Sequence, residues 1–399
     1  MYEKIAEKIG IITFYHGNYN FGGLLQAYAL PTVLEKCFGI SAEQIDYAFM
    51  PQQEPKSEKP KNTVSISKVI NLVGFLFFNR LKKNNFNKRK KAFEKFINDI
   101  PHSDRVYGCD NISESLKVYN TFICGGDQIW IDCKKMPWFR TEDSRVFTLR
   151  FVPEGVKKIS YAPSMAILEL TEEFKKEFCI GVNRLDRVSV REKRSLPVLR
   201  KLTDKPVTVA VDPVLLLKES DWLKEINCSG KKEKYILCYL LSDSISQRKA
   251  TTKLAKKLNC KIITFPHILV NVVRKCDLFF GDIHDYTSGP REFIGLIKNA
   301  EMVITDSFHA CVFSMIFKTP FAVFERNKIG EKGNMNSRIY DFLEEYHLEN
   351  QLVTEQELTE MKEIPKIDFT YAHEHWKKRR EESLHYLENA LKDNRYGRE

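Results

Sequence analysis

Short apolar runs of strand length alternate with longer amphipathic stretches from one end of the chain to the other. That alternation restricts the fold more than any other feature. The runs are "KIGIITFY" (8–15), "YNTFICGG" (119–126), "VKKISYAP" (156–163), "RVSVRE" (187–192) and "PVTVAVD" (206–212). After a polar stretch the pattern restarts with "YILCYLL" (235–241), "KIITFP" (261–266), "MVIT" (302–305) and "FAVFE" (321–325). Between them lie segments long enough for a helix, such as "LLQAYALPTVLEKC" (24–37). Strands of this length separated by helices join as parallel β-α-β units. The restart near residue 216 predicts two such α/β domains, residues 1–215 and 216–399, facing each other across a cleft. The amphipathic segment 375–393 is expected to be a terminal helix of the second domain.

Composition excludes several classes. An apolar share of 43% and a charged share of 29% fit ordinary globular cores. The ten cysteines include no CxxC pair and no Cys/His cluster with zinc spacing, so reduced thiols and no bound metal are expected. The opening "MYEKIAEKIG" lacks the pattern of a secretory signal, and the apolar run "VINLVGFLFF" (69–78) is about half of what crosses a bilayer. A cytoplasmic location follows as an expectation. The net charge of +10 is concentrated: residues 56–95 hold twelve Lys/Arg against Glu58 and Glu94. Such a basic and apolar arm suits an anionic partner, with a membrane surface at the inner face of the cytoplasmic membrane favoured over nucleic acid, for which no recognition motif exists. The plainer reading is a helical pair packed on its domain with a solvated basic face.

In open parallel sheets ligands bind beyond the carboxyl ends of the strands. After the first run, Asn18 and Tyr19 precede Gly22 and Gly23, a glycine pair that permits either close backbone approach to a ligand or a plain tight turn. "CGGDQIW" (124–130) repeats the design: Gly125 and Gly126 end a run, Asp127 can cap a helix or bind, and Gln128 and Trp130 offer an amide and a stacking face to a sugar. Arg191 ends "VSVR", as a bidentate clamp for carboxylate or phosphate or as the partner of Glu192. In "TDSFHA" (305–310), Asp306 or Ser307 can cap a helix whose first turn contains Phe308 and His309, where free N–H groups favour an anion. Downstream, Lys328 and Arg338 flank a polar loop able to close over one.

In this order, "GIITFYHGNYNFGGLLQAYAL" with "QIDY", "FICGGDQIW", "KKISYAPSM", "VSVRE", "VAVDPVLLL", "FIGLIKNAEMVITDSFHACVFSMIFKTPF" and "NSRIYDFL" resemble the polysaccharide pyruvyl transferase family across residues 9–343, the basic arm apart. The resemblance implies a fold of two Rossmann-like domains, like the GT-B glycosyltransferases. It also implies transfer of the enolpyruvyl group of phosphoenolpyruvate onto two hydroxyls of one sugar, forming a pyruvate ketal and releasing phosphate. The expected acceptor is a sugar or lipid-linked oligosaccharide of capsule or exopolysaccharide synthesis; no cofactor is implied, phosphoenolpyruvate being the donor substrate. His309, Arg191 and Asp127 become the expected catalytic residues. His309 serves as a proton donor made cationic by the anion it binds, Arg191 as donor clamp and Asp127 as base or orienter. Ser307 stands where some members carry an arginine, so Lys328 or Arg338 is expected to supply the missing charge. Two rival readings remain open: a glycosyltransferase of the same fold using a nucleotide sugar, and a non-catalytic protein that binds anionic surfaces through residues 56–95.

Overall fold

Four strands of the first half, β1 (Lys8–Ile12), β2 (Ser41–Gln44), β3 (Thr121–Gly125) and β4 (Lys157–Tyr161), form a parallel sheet in the order β2-β1-β3-β4. A short parallel pair, β5 (Val188–Val190) and β6 (Val207–Val209), extends it through a bridge between Ile159 and Arg187. In the second half lie β7 (Tyr235–Tyr239), β8 (Lys261–Thr264), a small antiparallel hairpin β9 (Ile268–Leu269) and β10 (Val272–Val273), then β11 (Ile283–His284), β12 (Met302–Thr305) and β13 (Phe321–Val323). Apart from the hairpin they make a second parallel sheet, ordered β11-β8-β7-β12-β13. This computed structural model describes residues 8–49, 84–135, 139–166, 168–226, 233–266, 268–269, 272–326 and 336–392.

Alternation along the strands decides where the cores sit. Ile9 and Ile11 of β1, Ile123 of β3, Leu237 of β7 and Val303 of β12 all feed one apolar cluster that runs between the two sheets. Their neighbours point the other way: Ile12, Phe122 and Cys124 enter a core private to the first domain, and Ile236, Cys238 and Ile304 one private to the second. Strands covered on both faces need continuous apolar sequence, which is why the runs carry so few polar residues. The helix Phe21–Phe38 lies in the shared layer. Asn20 caps it by accepting from Gly23 N at 3.0 Å, and Gly39 closes it at φ 67°. Its Phe21 stacks on Phe293 of the second domain with centroids 4.5 Å apart.

Two expectations change here. Residues 84–98 of the chain are helical, and their apolar face, Phe86, Phe93 and Phe96, is buried. Arg89 reaches across to the second domain, donating to Pro266 O at 3.1 Å. This part of the basic arm is therefore one helix packed between the domains with Lys88, Lys90, Lys91 and Lys95 left in solvent; the solvated basic face of the plainer reading is there, but the expected second helix falls outside the described residues. Residues 56–83 of the arm, including its apolar run, lie outside the described residues, as does Lys328. The terminal helix, Thr370–Lys392, does not belong to the second domain alone. From His373, whose ring bonds Met315 O at 2.8 Å, it crosses to the first: Trp376 donates to Leu215 O at 2.8 Å, Arg379 to Val209 O at 2.9 Å and Tyr386 to Ser160 O at 2.8 Å. Among the described residues no helix is long and apolar enough to cross a membrane.

Candidate functional site

Strand ends of both sheets meet around a cleft of about 370 Å³. From the first domain, His16, Asn18 and Tyr19 follow β1, and Asp127 and Gln128 follow β3. From the second, Ser307, Phe308 and His309 follow β12, Arg326 follows β13, and Arg338 rises from the helix Ser337–Glu345.

The end of β12 is fixed by Asp306, which is fully buried. Its carboxylate accepts from Leu241 N at 2.6 Å and Ser242 N at 2.7 Å, tying β12 to the loop after β7. It is thus unable to cap the next helix, Phe308–Ile316. Ser307 occupies the cap position, yet its side chain makes no capping bond. The expected cap by either residue is absent, and the helix presents its first turn to the cleft without a side-chain partner.

His309 is 7% exposed and is held between the domains. On one side it lies against Gly22, where a Cβ would stand only 2.0 Å from Nδ1. On the other, its Nε2 lies 3.6 Å from Asp212 Oδ2 and has no hydrogen-bond partner. Asp212 in turn takes a hydrogen bond from Arg191 Nη1 on Oδ2 and one from Val214 N on Oδ1 at 3.0 Å. Burial alone would raise the Asp212 carboxyl, but the Arg191 guanidinium and His309 beside it outweigh that and hold it well below the usual carboxylate range. The anion that Arg191 and His309 share is therefore a side chain of the protein itself.

Arg191 consequently does not stand free at the cleft as a clamp. It is buried behind Phe308, its guanidinium 4.8 Å from that ring, and it is paired with Glu192 at 3.2 Å as well as with Asp212. It faces a recess of about 30 Å³, and its Nη2 has no partner. Arg326 and Arg338 do line the cleft. Arg326 donates from Nη2 to Asp306 O at 3.0 Å, while its Nε is buried without a partner. The Gln128 amide, turned with its oxygen toward Arg338, accepts from Nη1 at 3.1 Å and Nε at 3.3 Å. Burial, then repulsion from Arg191 and Arg326, pushes the Arg338 guanidinium down to about 9. Such a cluster is short of negative charge, and an anionic ligand would relieve it.

Other expected residues divide. Asn18 lines the cleft but is spent on its own loop, donating to Phe14 O at 2.7 Å and accepting from Asn20 N at 2.8 Å. Tyr19 is exposed at the rim, with Phe93 5.8 Å away. Asp127 accepts from Gln128 N at 2.8 Å on Oδ1, and its Oδ2 faces Gly23, where a Cβ would come within 3.1 Å. Three expectations fail. Trp130 does not reach the cleft: it is buried in the first domain's core, its Nε1 donating to Phe147 O at 3.1 Å. Gly125 and Gly126 do not approach a ligand either. A side chain on Gly125 would strike Tyr161 O, and Gly126, at φ +89°, packs against the Gln26 amide. These glycines serve strand packing.

Four residues of the site were not singled out from sequence. Asp212 and Arg326 follow apolar runs, as the others do, and the strand-end rule applied to "VAVD" and "FAVFER" would have found them. His16, by contrast, is paired at the cleft with Asp46, Nδ1 to Oδ1 at 2.6 Å, from the turn after β2. Only the fold joins those two.

A model of the family described as polysaccharide pyruvyl transferase matches residues 20–328. No curated protein sequence matches the chain. Among solved structures, the putative UDP-N-acetylglucosamine 2-epimerase from Listeria monocytogenes aligns with a TM-score of 0.52 at 10% identity, covering 99% of each chain. The UDP-N-acetylglucosamine 2-epimerase from Rickettsia bellii aligns with a TM-score of 0.50 at 10% identity, covering 98% of each. At that identity the likeness carries the GT-B-type fold and nothing of substrate.

Proposed function

The chain belongs to the polysaccharide pyruvyl transferase family, and from that premise we propose that it transfers the enolpyruvyl unit of phosphoenolpyruvate to two hydroxyls of one sugar in a lipid-linked polysaccharide precursor. The observation that carries the reading is the under-neutralised cluster at the cleft: Arg326 and Arg338 beside His309 and an uncapped helix start, with Arg326 Nε and His309 Nε2 buried and unpartnered. A small ligand with phosphate and carboxylate ends supplies two anionic groups to such a site.

Arg326 and Arg338 hold the donor's anionic groups, with Arg326 taking the place of the arginine that Ser307 replaces. Arg191 acts through Asp212, as a positioning residue. Asp212 keeps an ionised carboxylate 3.6 Å from His309 Nε2 whether or not donor is bound. His309 gives its proton to the donor's methylene carbon, which becomes methyl. The central carbon, now oxocarbenium-like, takes the first sugar hydroxyl. Phosphate then leaves with its bonding electrons, the second hydroxyl closes the ketal, and the two hydroxyl protons return to His309 and to phosphate. Asp127, across the cleft, orients or deprotonates a hydroxyl.

Two measurements test this. Phosphoenolpyruvate should raise the unfolding temperature and UDP-sugars should not; the reverse pattern refutes the donor assignment. His309→Ala should lower phosphate release by at least ~10²-fold with the fold intact, and near-normal release would remove the proton-donor role.

A further inference from the structure

Away from the cleft, the second domain exposes an apolar pair in a basic setting. Phe279 is 93% exposed and Ile245 60%. Both line one groove of about 470 Å³ together with Lys249, Lys253 and Lys275. All three lysines are exposed, and none forms an ion pair among the described residues. The presentation is rigid. Asp277, two residues before Phe279, is buried and clamped by Arg248 (Nη2 to Oδ1, 2.6 Å) and by Arg274 (Nη2 to Oδ2, 3.0 Å). Acids lie on its flank: Lys249 and Lys253 also border a recess with Glu355 and Glu360, which accept from Ser246 at 2.7 Å and from Gln356 at 2.9 Å, and Asp243 lies near Cys276 of the groove. A phenyl ring held out in water on a groove with three lysines that form no ion pair among the described residues has no purpose for the packing of this domain.

We propose that Phe279 and Ile245, with Lys249, Lys253 and Lys275, form a docking surface for the anionic headgroup layer of a phospholipid bilayer. The ring and the isoleucine enter below the headgroups while the lysines stay among the phosphates, an arrangement in which apolar burial and charge attraction add. Charge complementarity selects this occupant, since an acidic protein would meet the lysines but gain little from a lone projecting ring. The surface is separate from the basic arm at 56–95 and does not depend on the transfer reaction. Arg274 links it to the cleft by donating to the carbonyl of Leu241, a cleft-lining residue, at 2.6 Å.

The test uses the full-length chain with no donor or acceptor present. Vesicles of phosphatidylcholine mixed with phosphatidylglycerol should bind the protein, less so as salt rises, and vesicles of phosphatidylcholine alone should bind it weakly. Phe279→Glu should weaken binding about tenfold or more at an unchanged unfolding temperature, because the ring packs on nothing. To separate this surface from the arm, Phe279→Trp is read with brominated acyl chains. Both proteins carry Trp138→Phe, since Trp138 lies outside the described residues; quenching should then exceed that of the protein with Phe279 intact, whose Trp130, Trp222 and Trp376 are buried. Wild-type binding by Phe279→Glu, an unquenched Trp at 279, or capture of an acidic protein with no vesicle binding would each overturn the proposal.

Discussion

Gly22→Ala tests whether the two domains meet through His309. A Cβ at Gly22 would lie 2.0 Å from Nδ1, 2.3 Å from Cγ and 2.7 Å from Cε1 of the imidazole, against ~3.5–4.0 Å for ordinary carbon contacts. The ring has little room to retreat, since its other edge faces Asp212 at 3.6 Å and its backbone sits in a helix whose residues are all buried. Either the imidazole leaves its rotamer or the helices Phe21–Phe38 and Phe308–Ile316 separate. Overpacking of this kind costs ~1–3 kcal/mol. Without the clash, Ala at a helical position would gain ~0.5–1 kcal/mol over Gly. In a His309→Ala background the clashing atoms are gone, so the same substitution should be neutral or stabilising, and the coupling between the two sites should be about 1.5–4 kcal/mol. The assay is a double-mutant cycle of unfolding midpoints on the four proteins, with phosphate release measured on those that keep His309. Gly22→Ala alone should also lose turnover, because the imidazole is displaced while remaining present. An equal stability cost of Gly22→Ala with and without the imidazole would refute the packing argument.

Arg326→Ala should weaken phosphoenolpyruvate binding by about 10–100-fold, the worth of a charge-assisted contact, as read by titration calorimetry; unchanged affinity removes Arg326 from the donor site. Arg338→Met should stabilise the ligand-free protein by ~1–3 kcal/mol, because a guanidinium pushed down to about 9 by burial and by its two arginine neighbours costs the fold energy. The same variant should lose the thermal protection given by phosphoenolpyruvate, and a destabilised variant would contradict the charge accounting. Asp341 is raised from 3.8 to about 6, by burial first and against the pull of Arg194. Its folded value lies above the unfolded one, so wild-type stability should fall as pH rises from about 4 through 6. Asp341→Asn should flatten that slope, by roughly 1–3 kcal/mol across the window, in unfolding experiments at fixed pH.

Much of this was legible in the sequence for a simple reason. Parallel strands buried on both faces must be continuously apolar, so "MVIT" or "YILCYLL" announces itself, and the residues following such a run fall at the cleft by topology alone. His309, Asp127 and Gln128 were placed at the cleft in that way, whereas Arg338 was singled out from the polar loop downstream of the last strand. Trp130 misled because an aromatic near a strand end is equally suited to a sugar and to a core, and one turn of backbone decides between them. Gly22 is a glycine because a histidine nearly three hundred residues away needs the space, and no local pattern records that. The pairing of Asp212 with both Arg191 and His309 is likewise set by how two sheets are brought together.

That pairing changes how the charge of the site is understood. Arg191 looks from sequence like the strongest candidate for an anion clamp, but Asp212 and Glu192 already hold it. Asp306 looks from sequence like a cap for the next helix, but its oxygens are taken by two backbone amides of the loop after β7. Once these groups are set aside, Arg326 and Arg338 face the cleft, with a neutral amide from Gln128 on one of them and with Asp127 and Glu192 as the carboxylates that act on Arg338. At Arg338, which is buried, those carboxylates do not outweigh burial and the repulsion of Arg191 and Arg326, and desolvation of this kind is a cost that a further anion offsets. The surplus is therefore best understood as space left for a ligand's charge. Substituting Asp212 and substituting Arg326 should accordingly separate: the first disturbs the fold and the orientation of His309, whereas the second removes affinity for the donor and leaves the imidazole where it is.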